Sequence, residues 1–266
     1  MKKSNNRKHR KKQFRLNWHL LLFALILIIA ATAIIKLVIW NAGTKSDFDP
    51  AHIAEGGDVE PLDTIIPLSD SKLEGHEDDG VMTVLCLGNN PLTDETGERG
   101  FVSLLSSKTN ATVYNGGFPD STIGTKYSVY NEGYPRDNFN LPHVAQSICS
   151  GDFSRMEAAS SAESNPIYAE TVNTLKSIDY SKIDMIAIIY DGTDYLAGIP
   201  SDNPNDPYEI SAYTGGLRTA IEAIQNSYPY IRIVVMSHTF AQSIDANGNF
   251  QNGGSTDLGN GALPHY

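Results

Sequence analysis

The sequence predicts an α/β domain, a three-layer α/β/α sandwich on a mostly parallel sheet, preceded by one N-terminal transmembrane helix. Three observations predict it. Four short apolar runs rich in β-branched residues are continuous rather than alternating, which marks strands covered on both faces. Segments with helical apolar spacing fall between those runs, and such alternation fits an open sheet with right-handed crossovers. Ahead of all this stands one apolar stretch of membrane-spanning length.

The elements are taken in chain order. Residues 1–17 form a basic tail. Residues 18–40 run from Trp18 through the apolar block Leu20 to Ile35, then Lys36 and on to Trp40. As a helix these positions reach about 35 Å, enough for a hydrocarbon core of about 30 Å. A tryptophan at each end suits the two interfaces, and Lys36 can snorkel to the nearer one. Ala31-Thr32-Ala33 also fits the cleavage site of a signal peptide, but the apolar run continues past it, which favours an uncleaved anchor. Nine of the 20 basic residues precede Ala42 and no acidic residue does, so 11 basic residues face all 31 acidic ones after it. The basic flank keeps the N-terminus cytoplasmic. The expected arrangement is therefore a single-pass plasma-membrane protein whose bilayer partner is residues 18–40 and whose C-terminal part is extracytoplasmic. An acidic folded part lacks the basic footprint of a nucleic-acid binder, and no nucleic acid is expected as partner.

Residues 41–80, rich in Asp, Glu, Gly and Pro, read as a flexible, self-repelling stalk. The folded domain is expected over 81–266. Its strand candidates are Val81–Leu87, Ala111–Tyr114, Ile183–Tyr190 and Ile231–Met236. Helices are expected from Phe101, over Leu141–Cys149 and Tyr168–Ile178, and around Leu217, Ile221 and Ile224. Near the end, Asn247-Gly248 between Ile244 and Phe250 predicts a hairpin turn. Asp245-x-Asn247-x-Asn249 lacks the glycine and glutamate of a calcium loop, so the bare turn is favoured. Cys86, inside an apolar run, reads as a small core residue, and with Cys149 it makes no disulfide framework.

Ligands in open α/β sheets bind beyond the carboxyl ends of the strands. Each predicted strand here ends in polar residues: Gly88-Asn89-Asn90, then Asn115-Gly116-Gly117 with Asp120-Ser121-Thr122, then Asp191-Gly192-Thr193-Asp194, then Ser237-His238-Thr239. In order and spacing these blocks resemble the SGNH, or GDSL-like, hydrolase family over roughly Val81 to Ser237. The resemblance implies a flavodoxin-like three-layer fold and attack on small acyl esters, such as acetyl groups on envelope glycans. No cofactor and no metal are expected. It places the nucleophile at Asn90 and an oxyanion donor at Asp194, with Gly88, Asn89, Asn115, Gly117, Asp120, Asp191, Gly192 and Tyr195 around the ligand.

The departures from the family are chemical. Asn90 stands where the family has serine, and a carboxamide nitrogen is a poor nucleophile because its lone pair is delocalised. Losing a triad nucleophile costs about 10⁶-fold in rate. Asp194 stands where the family has asparagine. When ionised it donates no hydrogen bond, and beside an oxyanion at ~3 Å it would cost about 5 kcal/mol at an effective dielectric of 20. It would donate only if burial or Asp191 raised its pKa. No Asp-x-x-His block occurs near the end, and the chain is expected to be cut short of it. Ser121 is the nearest surrogate nucleophile, although it also suits a loop cap. His238 could reach the site, although a lone loop histidine is more often structural. Asp120, Asp191 and Asp194 supply oxygen ligands for a hard cation, but no spacing fixes one. Tyr190 and Tyr195 could stack on sugar rings, although tyrosines there also suit a half-buried rim. Two functions remain open: an ester hydrolase, or a non-catalytic domain that binds a glycan, a peptide or a partner protein at the altered site.

Overall fold

The four apolar runs become four parallel strands in the computed structural model: β1 (Thr83–Gly88), β2 (Thr112–Gly117), β3 (Met185–Ile189) and β4 (Arg232–Val235). The structure describes residues 67–237, 242–257, 261–263 and 266, together with scattered positions between Trp18 and Lys36. Those scattered positions are helical. The rest of the expected membrane span over 18–40 lies outside the described residues, and among the described residues no helix is long and apolar enough to cross a membrane.

The sheet runs β2-β1-β3-β4. β1 is central and all six of its residues are buried. The chain steps from β1 to β2 on one side, then returns to build β3 and β4 on the other. The strand order therefore reverses between β1 and β3, and a crevice at their carboxyl ends follows from that reversal. Register places Gly88 level with both Gly117 and Ile189, so three strand ends meet at one height.

Helices cover both faces. After β1 come α1 (Asn90–Thr93) and α2 (Phe101–Thr109). After β2 come α3 (Leu141–Ser150), α4 (Ser154–Ser160) and α5 (Ile167–Ser177). After β3 come α6 (Thr193–Leu196) and α7 (Tyr213–Ser227). Side chains alternate across β1 and β3. Leu85, Leu87, Ile186 and Ile188 enter the larger core with Val144 and Ile148 of α3, Val172 and Leu175 of α5, and Ala220 and Ile224 of α7. Val84, Cys86, Ala187 and Ile189 enter the smaller one with Leu92 and α2 residues Phe101, Val102 and Leu105. Each large aliphatic side chain so buried contributes about 1.5–3 kcal/mol of transfer free energy. Cys86 and Cys149 belong to opposite faces and both are free thiols.

Helix ends follow local chemistry. α2 stops at Asn110 and α3 at Gly151, both left-handed, with their N–H groups donating to Ser106 O and Ser147 O. This is the usual termination by a residue that tolerates positive φ. Pro142 in the first turn of α3 carries no N–H where none is needed. The hairpin forms as expected, from β5 (Gln242–Ile244) and β6 (Phe250–Asn252), with Gly248 at φ +81. Asp245 Oδ1 accepts from the N–H groups of Asn247 and Asn249, so the turn satisfies its own carboxylate.

The compact unit begins at Pro67, so residues 67–80 of the expected stalk belong with it. Glu77 N donates to Ser181 O, and the His76 ring packs on Tyr230. His76 Nε2 lies 3.0 Å from Asp184 Oδ1 but out of line for a hydrogen bond. These contacts lie at the amino end of β3, away from the strand ends that carry the polar blocks.

Candidate functional site

The crevice between β1 and β3 is closed by hydrogen bonds. Asn89 follows β1 and is fully buried. Its Nδ2 donates to Ser121 O at 2.9 Å and to Asp191 Oδ1 at 2.8 Å, while its Oδ1 accepts from Asp191 N at 3.0 Å. Asp191, at the end of β3, also accepts on Oδ1 from Thr193 N at 2.9 Å and Thr193 Oγ1 at 2.5 Å. Its second oxygen accepts from Asn90 Nδ2 at 3.1 Å. A carboxylate with four donors is satisfied without a ligand.

Asn90, in the expected nucleophile position, is similarly occupied. Besides Asp191, its Nδ2 approaches Thr193 Oγ1 at 3.4 Å, and its Oδ1 accepts from Asp120 N at 2.9 Å. One carboxamide thus ties together the loops after β1, β2 and β3. Asp120 sits at φ +53, a conformation that aspartate tolerates better than most residues. Its N–H donates to Asn90, and the residue lines the neighbouring cavity.

Asp194 is 1% exposed, on the first turn of α6. Its two oxygens accept from Gly124 N at 2.8 Å and Ile123 N at 2.9 Å. Burial pushes its carboxyl up to about 7, the two N–H donors oppose that rise, and the charge of Asp191 adds to it. The sequence condition for a protonated Asp194 is therefore met near neutral pH. Its oxygens nonetheless face the 121–125 loop, so it clamps that loop and does not present itself as an oxyanion donor.

Ser121 is buried, and its hydroxyl donates to Phe118 O at 2.9 Å. It serves as a turn residue, the loop-cap alternative, and no histidine lines the cavity beside it among the described residues. His238 lies outside the described residues. Asn115 donates to Leu92 O and accepts from Gly117 N, which fixes α1 to β2 and turns the amide away from a ligand. Gly88 and Gly117 are glycines for packing. A Cβ on Gly88 would stand 1.9 Å from Ile189 O, and one on Gly117 would stand 2.6 Å from the Leu92 Cβ. Gly192 is the residue before α6 and its carbonyl accepts from Leu196 N. Tyr190 and Tyr195 are both buried, Tyr195 donating to Thr256 O, so neither ring is available for stacking on a sugar. The lone pairs of Asp191 and Asp194 face protein donors, and among the described residues no cluster of three ligating side chains could hold a metal.

The open space lies beside this network. A cavity of about 400 Å³ is lined by Asp120, Ser121, Lys126, Tyr134, Asp137 and Thr193, together with Ile199 and Pro200. Asp137 is 2% exposed and holds the wall: Oδ1 accepts from Lys126 N and Asn140 Nδ2, and Oδ2 from Tyr127 N. Burial raises its pKa. Asn140, just before α3, accepts from Thr122 N and donates to Gly124 O. Lys126 Nζ stands 4.4 Å from the centroid of the Tyr134 ring. Lys126 and Tyr134 were not among the sequence candidates. Their one signal is a loop with tyrosine at 127, 130 and 134 between cations at 126 and 136. A second cavity of about 500 Å³ opens between α3 and α7, away from the strand ends, lined by His143, Gln146 and Cys149.

No family model matches this sequence, and no curated protein matches it. Among solved structures, one similar chain is described as a possible lipase from Chitinophaga pinensis DSM 2588. It shares 17% identity and a TM-score of 0.42, over 70% of this chain and 60% of that one. This chain thus spans about 60% of the length of that protein. The chemistry of the site therefore rests on its own residues.

Proposed function

We propose that this chain is a membrane-anchored, extracytoplasmic domain of the SGNH-hydrolase type that binds a glycan at its strand ends and does not hydrolyse esters there. The observation that carries this reading is Asn90. The residue in the nucleophile position has its amide donated to Asp191 and its carbonyl oxygen occupied by Asp120 N. Beside it an open cavity offers polar groups, an aromatic ring and a cation, the usual makings of a small-ligand site. The apolar run over 18–40 and its basic flank support the anchor and the orientation.

The ester-hydrolase reading draws on the strand order and the block positions. It needs a nucleophile, and the two candidates are both engaged: Asn90 in the network, Ser121 in a buried turn. An assay on an aryl acetate with the full chain in detergent separates the readings. The binding reading expects no turnover above that of Asn90→Ala. Turnover lost in Asn90→Ala, or retained there but lost in Ser121→Ala, would replace it with hydrolysis. Protease accessibility of the C-terminal domain in intact cells tests the orientation, and protection from external protease would reverse it.

A further inference from the structure

The cavity wall carries a cation that makes no contact ion pair among the described residues. Lys126 makes no ion pair among the described residues, whereas Arg136 on the same wall grips Glu163 through Nε at 2.9 Å and Nη2 at 3.1 Å. The backbone of Lys126 is anchored by its N–H to Asp137 Oδ1, and its ammonium is held against the Tyr134 ring. The ammonium is thus positioned without being satisfied: a ring face attracts a cation but accepts no strong hydrogen bond from it. The Asp137 carboxylate feels the charge of Lys126 but makes no ion pair with it, and its oxygens accept instead from the backbone N–H groups of Lys126 and Tyr127 and from Asn140. In a part of the chain where 31 acidic residues outnumber 11 basic ones, a cation on a cavity wall without a contact ion pair favours a negative group. The rest of the wall suits a sugar. Tyr134 offers ring surface, and Asp120, whose charge acts on Arg136, lines the same wall with a carboxylate that can accept from hydroxyls.

We propose that this cavity takes an anion-bearing saccharide, with Lys126 receiving the carboxylate, Tyr134 packing on the ring and Asp120 accepting from hydroxyls. This rests on the glycan-binding reading above and names the ligand class within it. The test is calorimetric titration of the full chain in detergent with trigalacturonate, its methyl ester and inorganic phosphate. Trigalacturonate binds, and the ester, lacking only the charge, binds about tenfold more weakly, as expected for loss of one charge-assisted contact. Lys126→Gln removes the difference between acid and ester. Tyr134→Leu weakens both alike. Both variants keep the wild-type thermal melt, since neither side chain is buried in the core. An ester that binds the wild type as tightly as the acid overturns the anionic class while leaving glycan binding intact. Phosphate binding as tightly as the trisaccharide overturns the saccharide and leaves a plain anion site. Silence from both acid and ester overturns the proposal together with the glycan reading beneath it.

Discussion

Replacing Asp194 by asparagine tests whether a buried carboxyl, and not apolar packing alone, makes the 121–125 loop sensitive to pH. The folded state holds this carboxyl at about 7 against an ordinary value of 3.8, chiefly through burial. A group raised in the folded state is protonated there while the unfolded chain has already ionised. Stability is then greatest at acid pH and falls as pH rises from about 4 to about 7, by roughly 4 kcal/mol in total. Asparagine carries no such slope. It also accepts only one of the two backbone N–H groups well and turns an amide donor on the other, a cost of about 1–3 kcal/mol. Asp194→Asn is therefore less stable than wild type at pH 5, and the gap closes or reverses by pH 8. Urea denaturation of both proteins at pH 5, 6, 7 and 8, followed by near-ultraviolet circular dichroism, reads the difference. A difference that stays constant across that range refutes the reasoning, because Asp194 would then ionise alike in both states.

Other substitutions probe the frame around the site. Gly88→Ala sets a Cβ against the backbone carbonyl of Ile189, which no rotamer change can move aside; a loss of about 3 kcal/mol is expected, and an unchanged thermal midpoint would disprove that close approach. Asn89→Ala strands Ser121 O and Asp191 N in the interior and costs roughly 2–4 kcal/mol, measurable by the same urea titration, with a cost under half a kilocalorie counting against the crevice network. Burial pushes the Cys86 thiol up to about 11 and raises that of Cys149, which is half-exposed. A thiol reagent at pH 8 should therefore label Cys149 slowly and Cys86 only after unfolding. Equal labelling of the two in the native protein would contradict the sheet packing.

The strands and long helices were readable because their signal is local. Val84 to Leu87 and Ile186 to Ile189 are apolar on both faces, and only a sheet covered twice buries both. α7 was visible through Leu217, Ile221 and Ile224, one stripe at helical spacing, and the hairpin through Asn247-Gly248. α4 was not predicted, since Ser154–Ser160 is a short helix of small and polar residues whose burial depends on α5 and on the 3₁₀ turn Pro135–Phe139. The site was readable only as a neighbourhood. Asn89, Asn90, Asp120, Asp191 and Asp194 all lie where the strand ends suggested, because chain order places them there. Their roles were not readable, because a hydrogen-bond partner is chosen in space. Tyr190 and Tyr195, which the sequence offers for stacking on a sugar or for a half-buried rim, turn inward, while Lys126 and Tyr134, in a loop without periodicity, line the cavity.

Periodicity, composition and charge thus specify the anchor candidate, the layer order and the end of the sheet at which the polar blocks gather, since each depends on neighbours in sequence. Whether that end holds a reactive group or a closed network was decided in three dimensions. Asn90 is engaged only because Asp120 and Asp191, 30 and 101 residues away, arrive beside it. Asp194 approaches neutrality only because the folded chain removes water from around it.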